Sequence, residues 1–590
     1  MFYGLRKIKA GLINYNGNII MCGILGYFDF NKDLPSEYEF RKALNLMKHR
    51  GPDGFGINSF DHGVLGHRRL SIIDLSKNAK QPMTNENQTI WITFNGEIFN
   101  YNELRDELKN HEFKSNSDTE VLIHGYEEWG LENLLSKLNG QFAFGIWDEN
   151  KKSLYLARDR TGINPLYYHY NNNKLIFASE LKSINYFINC KQIDNYALFF
   201  YFKFGYILNP ATVYTAIKKL RPATYIKITN NKFIEKTYWT VDYGKYIYNE
   251  PKLISKINFQ LEKSIKDRLI SDVPVGAFLS GGVDSSAVVS IITKYKENTH
   301  TFSIGFEEDK YDETEYAQKI SNYLNTNHHT KILSDSDFHN CLDNIPYYYD
   351  EPFADVSQIP TMMVSELAKK YVTVSLSGDG GDELFGGYTR YKSLQKLKRW
   401  FSILRIFKNQ CKQFSENKLN FYLPLKLNEI MNTLYYYYYV ADNNNDIKID
   451  DNILNLAQKI DLKAYLTDDI LVKVDRASLA YSLESRPPLL DHNLIELAYR
   501  IPPEYRINNG IQKYIFKKAL INKIPAEILN RQKMGFGMDC VNYIKDFEFK
   551  YNYFDKKVPR LFFDKIIKKP NNSQFWNLLI YQKWAEFYEY

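Results

Sequence analysis

The segment 275–306 sets the tightest limit on how this chain folds. An apolar run, Val275-Gly276-Ala277-Phe278-Leu279, leads into Ser280-Gly281-Gly282-Val283-Asp284-Ser285-Ser286. A helical pattern over 285–296 follows, then a second apolar run over 300–306. Strand, glycine-rich turn, helix and strand in that order predict a parallel α/β sheet. The turn also constrains chemistry. Backbone N–H groups in such a loop cradle phosphate oxygens, and the helix N-terminus behind them favours negative charge. The Gly-Lys-Ser/Thr of a Walker A loop is missing. Residues 372–377 read as another buried strand entering a second glycine-rich loop, Ser377-Gly378-Asp379-Gly380-Gly381-Asp382-Glu383. A helical stretch over 253–269 precedes the unit, and the chain beyond about 385 reads as mainly helical, with a polar surface loop around 443–451.

Ahead of this unit the texture differs. Short β-like runs at 90–94, 140–147, 154–157 and 175–178 are separated by Gly, Asn and Pro turns, as in an antiparallel-rich layer. Near its start stands Met21-Cys22-Gly23-Ile24-Leu25-Gly26. A thiol attacks an amide carbonyl once a base takes its proton, and a terminal cysteine carries that base as its own α-amine. Cys22 has the amine only if the mature chain begins there, so translation is expected to start at Met21 or residues 1–21 to be removed. Four further segments follow: His49-Arg50-Gly51-Pro52-Asp53-Gly54, Gly66-His67-Arg68-Arg69-Leu70-Ser71-Ile72, Phe94-Asn95-Gly96-Glu97-Ile98-Phe99-Asn100 and Ser117-Asp118-Thr119-Glu120. Read locally, they are a basic turn, arginines just before a strand, a strand ended by an Asn-Gly turn, and a helix cap.

In this order after Met-Cys-Gly, the segments resemble class II glutamine amidotransferases, the N-terminal-nucleophile glutaminases. The Ser280–Ser286 loop resembles the SGGxDS loop of ATP pyrophosphatases. Matches continue through Phe302-Ser303-Ile304-Gly305-Phe306, Tyr311-Asp312-Glu313, Asp350-Glu351-Pro352-Phe353-Ala354-Asp355, Leu471-Val472-Lys473-Val474-Asp475-Arg476, Glu484-Ser485-Arg486-Pro487-Pro488-Leu489-Leu490-Asp491, Lys513 and Arg531-Gln532-Lys533-Met534-Gly535-Phe536-Gly537. Over residues 22–540 the chain is therefore similar to glutamine-hydrolysing asparagine synthetases.

The resemblance implies an N-terminal-nucleophile αββα sandwich over 22–230 and a parallel-sheet ATP pyrophosphatase domain with a helical C-terminal part over 250–590. It implies glutamine hydrolysis through a thioester on Cys22. Arg69 would hold the α-carboxylate, Glu97 and Asp118 the α-amine, and the Asn95 side chain with the Gly96 N–H the oxyanion. Leu279, Ser280, Gly281, Gly282, Asp284, Ser285, Ser286, Ile304, Ser377, Gly378 and Lys513 would bind ATP, and Asp284 and Asp382 a magnesium ion. Ammonia would pass internally to an acyl-adenylate, with Asp379 handling ammonia and the acceptor. A homodimer is left open.

Three departures stand out. The extension 1–21, if retained, blocks the Cys22 amine. Asp379 stands where the best-known asparagine synthetases carry glutamate, which widens the acceptor from aspartate to another carboxylate such as a sugar uronic acid. Arg221-Pro222-Ala223 replaces the usual Pro-Gly turn. A non-catalytic or ammonia-only scaffold is the third reading, opposed by the intact motif residues.

Composition excludes other classes. The net charge of +7 comes from 76 basic against 69 acidic residues, without blocks of like charge, so no nucleic-acid partner is inferred. No apolar run reaches the roughly 18 residues of a membrane span, and the first 21 residues lack a signal-peptide core. Cys22, Cys190, Cys341, Cys411 and Cys540 are odd in number and scattered, which fits a reducing, cytoplasmic compartment. The tyrosines at 435–439 read as packing or coding bias rather than a binding platform.

Overall fold

The computed structural model describes residues 22–51, 53–230, 232–242, 244–307, 312–396, 452–532, 535 and 572–590. The 1–21 extension with Met21, Pro52, Tyr311, Cys411, the 435–439 tyrosines, the 443–451 segment, Lys533, Met534, Phe536, Gly537 and Cys540 lie outside the described residues.

In strand Gly23–Asp29 Ile24 and Phe28 face one way, Leu25 and Tyr27 the other, and all four are buried. A strand apolar on both faces needs cover on both. One cover is a second sheet. The first six-stranded sheet runs Lys218–Lys219, Tyr167–Asn171, Lys174–Ala178, Gly23–Asp29, Gly63–Arg69, Gly54–Phe60, and the second runs Lys232–Thr237, Thr224–Thr229, Ser153–Arg158, Gly140–Asp148, Ile90–Ile98, Met83–Thr84. Phe28, Trp147, Leu156, Phe177 and Ile226 fill the space between them. Helices Glu37–Asn45 and Leu181–Ile188 cover the outer face of the first sheet through Phe40 and Ile184. Helix Asp118–Lys137 covers the second through Val121 and Leu134 against Phe94 and Phe144. The layering is αββα.

Two local expectations change. Strand Ile90–Ile98 does not end in an Asn-Gly turn but runs through Asn95 and Gly96, which pair with Ala143 and Phe142. Glycine serves close approach there: a Cβ on Gly96 would stand 2.1 Å from the Gln141 carbonyl oxygen. Arg68 and Arg69 close strand Gly63–Arg69 rather than precede one. The ladder stops because the next N–H, that of Leu70, donates to the Cys22 Sγ at 3.2 Å.

The second sheet system is parallel throughout, in the order Asn327–Ile332, His300–Gly305, Val275–Phe278, Val374–Leu376, Glu484–Arg486. The chain builds outward from Val275–Phe278 on one side, then returns to build the other. The loops after Val275–Phe278 and Val374–Leu376 therefore meet at the reversal point, the crevice where open α/β sheets bind ligands. Helix Glu250–Arg268 covers one face with Leu253, Ile257 and Leu261 beside Ala277 and Leu376. Helix Gln358–Lys369 covers the other with Ile359 and Met362 beside Phe302. Ala223 adopts φ 54°, a conformation that glycine takes freely, so the altered turn keeps its shape with a less suited residue.

The two sheet systems meet across a buried ionic network. Arg50, fully buried, donates from both Nη atoms to the two Asp475 carboxylate oxygens at 2.9 Å, and its Nη1 lies 3.3 Å from Glu180. Arg476 reaches Glu180 at 2.9 Å, and Lys182 reaches Glu180 at 2.6 Å and Asp350 at 3.0 Å. Arg50→Ala is expected to lower the urea unfolding midpoint by the equivalent of about 3–5 kcal/mol, because it strands buried carboxylates. Removing the exposed Arg41–Glu37 pair, at 2.7 Å, should shift the same curve by less than about 1 kcal/mol. Similar shifts for the two variants would show that the network carries no special role.

Candidate functional site

The start of strand Gly23–Asp29, the end of strand Ile90–Ile98 and the start of helix Asp118–Lys137 converge on one cavity of about 430 Å³. Cys22, Arg69, Asn95, Gly96, Glu97 and Asp118 all line it, so the structure gathers every residue expected for glutamine. Arg69 is preorganised: its Nη1 and Nη2 donate to the Ser76 and Asp74 carbonyls at 2.8 and 2.5 Å. The Asn95 Nδ2 is buried and has no hydrogen-bond partner among the described residues, a donor suited to a developing oxyanion. Leu70, Ile72 and Ile73 supply an apolar wall.

The cavity also takes in Glu484, from the parallel sheet. Sequence reasoning placed its segment in the family but gave this residue no role. Arg486 sits between Glu97, at 3.5 Å, and Glu484, at 2.5 Å. One guanidinium thus faces three carboxyls, those of Glu97, Glu484 and Asp118, and the cluster is short of positive charge. Burial raises the Glu97 and Glu484 carboxyls, against the pull of Arg486. Burial pushes Asp118 up to about 7, opposed by N–H donation from Ile98 at 2.9 Å. Burial likewise pushes the Cys22 thiol up to about 12, so it stays protonated near neutrality and needs an adjacent base. An arginine at one side, an anionic cluster at another and a thiol beside a free amide donor complement a zwitterionic amino acid with a side-chain amide.

The second constellation lies at the reversal point of the parallel sheet. Ser280 bonds back to Ser285, Oγ to Oγ at 3.2 Å, and helix Val283–Ile292 starts from Gly282. The loops touch: a Cβ on Gly378 would come within 2.8 Å of the Ser285 nitrogen, and one on Gly381 within 2.4 Å of the Asp284 Cγ. Asp284 and Asp382 converge on the Lys513 Nζ, the latter at 2.7 Å. Both carboxylates raise Lys513, although its burial acts first and downward. Two carboxylates aimed at one point beside a phosphate-type loop fit a magnesium ion that also takes phosphate oxygens. Leu279 and Ser286 are buried at the base of the loop. The side chain of Ile304 packs into a different core cluster from Leu279.

Asp379 belongs to a third group. Lys473 Nζ lies 3.2 Å from Asp355 and 2.8 Å from the Ser357 Oγ. Burial raises Asp379 and Asp469, with Lys473 opposing in both. Lys473 and Asp355 stood inside family-like segments without an assigned role. Asp469 had no signal at all.

The asparagine synthase family model matches residues 256–586, and the glutamine amidotransferase domain model matches 21–239. This chain belongs to the asparagine synthetase family. Asparagine synthetase [glutamine-hydrolyzing] 1 of Bacillus subtilis is 35% identical over 96% of both chains. Asparagine synthetase [glutamine-hydrolyzing] 3 of the same organism is 33% identical over 88% of this chain and 87% of its own. Asparagine synthetase [glutamine-hydrolyzing] 1 of Lotus japonicus is 28% identical over 90% of this chain and 80% of its own.

In this asparagine synthetase family member, burial holds the Asp118 carboxyl up to about 7, so its charge changes near neutrality. The KM for glutamine is therefore expected to fall as pH rises through about 7, by up to roughly tenfold per unit on the acid side. Asp118→Asn should raise KM and flatten this limb. An unchanged limb in the variant would assign the dependence elsewhere.

Proposed function

We propose that the protein makes an amide from a carboxylate, ATP and glutamine, and that aspartate is the carboxylate. The observation carrying this reading is the single cavity that holds Cys22, Arg69, the Asn95 donor and an under-compensated carboxylate cluster. In it the glutamine α-carboxylate meets Arg69, the α-ammonium meets Glu97, Asp118 and Glu484, and the amide carbon meets the thiol. With its α-amine free, Cys22 passes the thiol proton to that amine and attacks the amide carbon; the tetrahedral intermediate takes that proton on its nitrogen and collapses to a thioester as ammonia leaves, and water then hydrolyses the thioester to glutamate and the free thiol. Asn95 Nδ2 and the Gly96 N–H stabilise the oxyanion.

At the parallel sheet, the acceptor carboxylate attacks the α-phosphorus of ATP, giving an acyl-adenylate and pyrophosphate. Residues Ser280–Ser286 and Lys513 hold the phosphates, and Asp284 and Asp382 would hold a magnesium ion, whose charge would offset that of the leaving pyrophosphate. A small gap lined by Arg158, Ile163 and Pro165 from one half and by Leu471, Val472 and Arg476 from the other lies between the halves, where an internal route for ammonia would run. Ammonia then displaces AMP. The lack of a cysteine framework in the sequence supports a cytoplasmic setting. Among the described residues no helix is long and apolar enough to cross a membrane.

A sugar uronic acid is the second reading, and the shortened Asp379 side chain favours it. Pyrophosphate release screened over candidate carboxylates with glutamine present separates the two, as does rescue of an asparagine auxotroph. Release with a uronic acid and not with aspartate would overturn the first reading. Cys22→Ala should abolish glutamine-dependent synthesis and leave ammonia-dependent synthesis near wild type, and equal loss of both would contradict two sites. Asp284→Ala should stop pyrophosphate release with either nitrogen source. Mass spectrometry should find the active chain beginning at Cys22, and glutaminase activity in a chain that retains Met1 would remove the α-amine from the mechanism.

A further inference from the structure

On the far side of the glutamine pocket, three separate pieces of chain bring two imidazoles and two carboxylates together. Glu86 comes from the turn before strand Ile90–Ile98, His111 from the loop before helix Asp118–Lys137, and His124 and Glu127 from that helix. One ligand atom from each lies within 4.8 Å of all the others. We propose that Glu86, His111, His124 and Glu127 bind a zinc ion that clamps these segments behind the pocket.

The geometry carries the proposal. Zinc bonds to imidazole nitrogen and carboxylate oxygen run about 2.0–2.2 Å, so the edges of a tetrahedral site run roughly 3.3–3.6 Å. The His111 Nδ1 lies 3.4 Å from Glu86 and 3.9 Å from Glu127, and the His124 Nδ1 lies 3.7 Å from Glu86 and 3.3 Å from Glu127. The rings stack, with centroids 4.4 Å apart and planes 25° from parallel, consistent with both Nδ1 atoms approaching the same pair of carboxylates.

Two further carboxylates stand near the outer ring nitrogens. The His111 Nε2 is 3.7 Å from Glu128, and the His124 Nε2 is 3.7 Å from Glu120. Neither is a hydrogen bond at that distance, and a small ring shift on metal binding would let each carboxylate accept the Nε2–H, the contact that orients metal-bound histidines. Asn85 Nδ2 donates to Glu127 Oε1 at 2.7 Å, which leaves Oε2 toward the rings. The Glu112 N–H bonds Glu86 Oε1 at 3.3 Å and steadies the other carboxylate. His124 is buried while Glu86 and Glu127 stay partly exposed, so an ion has an approach from solvent. Mixed nitrogen and carboxylate ligands suit zinc better than magnesium, which prefers oxygen alone.

The clamp has a mechanical consequence. The His111 loop continues through Ser115, whose N–H and Oγ donate to Glu120 at 2.7 and 2.6 Å, into Ser117 and Asp118 at the pocket. A metal tying His111 to the helix holds that approach in place.

The test is metal content of the full chain expressed with added zinc and purified without chelator. Wild type and Asp284→Ala are each expected to carry about one zinc per chain. Glu86→Gln and His111→Gln, mild changes at partly exposed positions, should each drop below about one tenth of that. Cobalt added to the metal-free protein should give the strong visible bands of a tetrahedral site, absent in both variants. Zinc content unchanged by both substitutions overturns the proposal, as does a wild-type chain with less than about a tenth of an ion.

Discussion

One guanidinium fixes where the two halves of the protein stand. Arg50 donates from Nε to the carbonyl of Cys22 at 3.2 Å and from both Nη atoms to Asp475. Asp475 shares helix Leu471–Ala480 with Lys473, which reaches Asp355, and with Arg476, which reaches Glu180. The strand bearing the thiol is thus held in register with the helix bearing the lysine of the Asp379 group. An apolar interface of the same size would seal the halves without setting this register. Burying ions costs several kcal/mol each before pairing, so the network is poorly explained as a source of stability. A bidentate arginine pair is satisfied at one distance and one orientation, and that geometric demand is what the network supplies.

The two ligand sites solve their charge problems in opposite ways. Among the described residues, the guanidinium in contact with Glu97 and Glu484 is that of Arg486, and burial raises the Glu97, Glu484 and Asp118 carboxyls toward protonation. The missing positive charge can arrive with the ligand, as an ammonium group. At the nucleotide loops the internal cation is already there, with Lys513 against both Asp284 and Asp382. Lys513 adopts φ 55° to reach them, a conformation a lysine seldom takes and one that costs about 1–2 kcal/mol. In the proposed reaction, phosphate oxygens would take up the lysine and a divalent ion would take up the carboxylates, so the site would exchange partners rather than gain an unpaired charge.

What could be read from the sequence was the part set by backbone geometry. The Ser280–Ser286 and Ser377–Glu383 loops need glycine because their backbones nearly touch, and a near-touch leaves a local signature. Glu484 was not legible because nothing near it in sequence shows that a three-residue strand of one sheet system ends at the pocket of the other. The Asn-Gly pair was misread because its turn tendency is local, while the ladder to Ala143 and Phe142 that overrides it is not. Glu86, His111, His124 and Glu127 have irregular spacing and become neighbours only when a turn, a loop and a helix pack together.

The Asp379 group bears on the acceptor in the same electrostatic terms. Three carboxyls, those of Asp355, Asp379 and Asp469, share Lys473 as the cation in contact, at Asp355. Lys473 holds Asp355 below the usual carboxylate range against its burial, while burial leaves Asp379 and Asp469 raised. Aspartate and a uronic acid would each bring one net negative charge to this group, so net charge does not separate them. The difference is that aspartate also carries an α-ammonium, a cation that carboxyls sharing one lysine could accept.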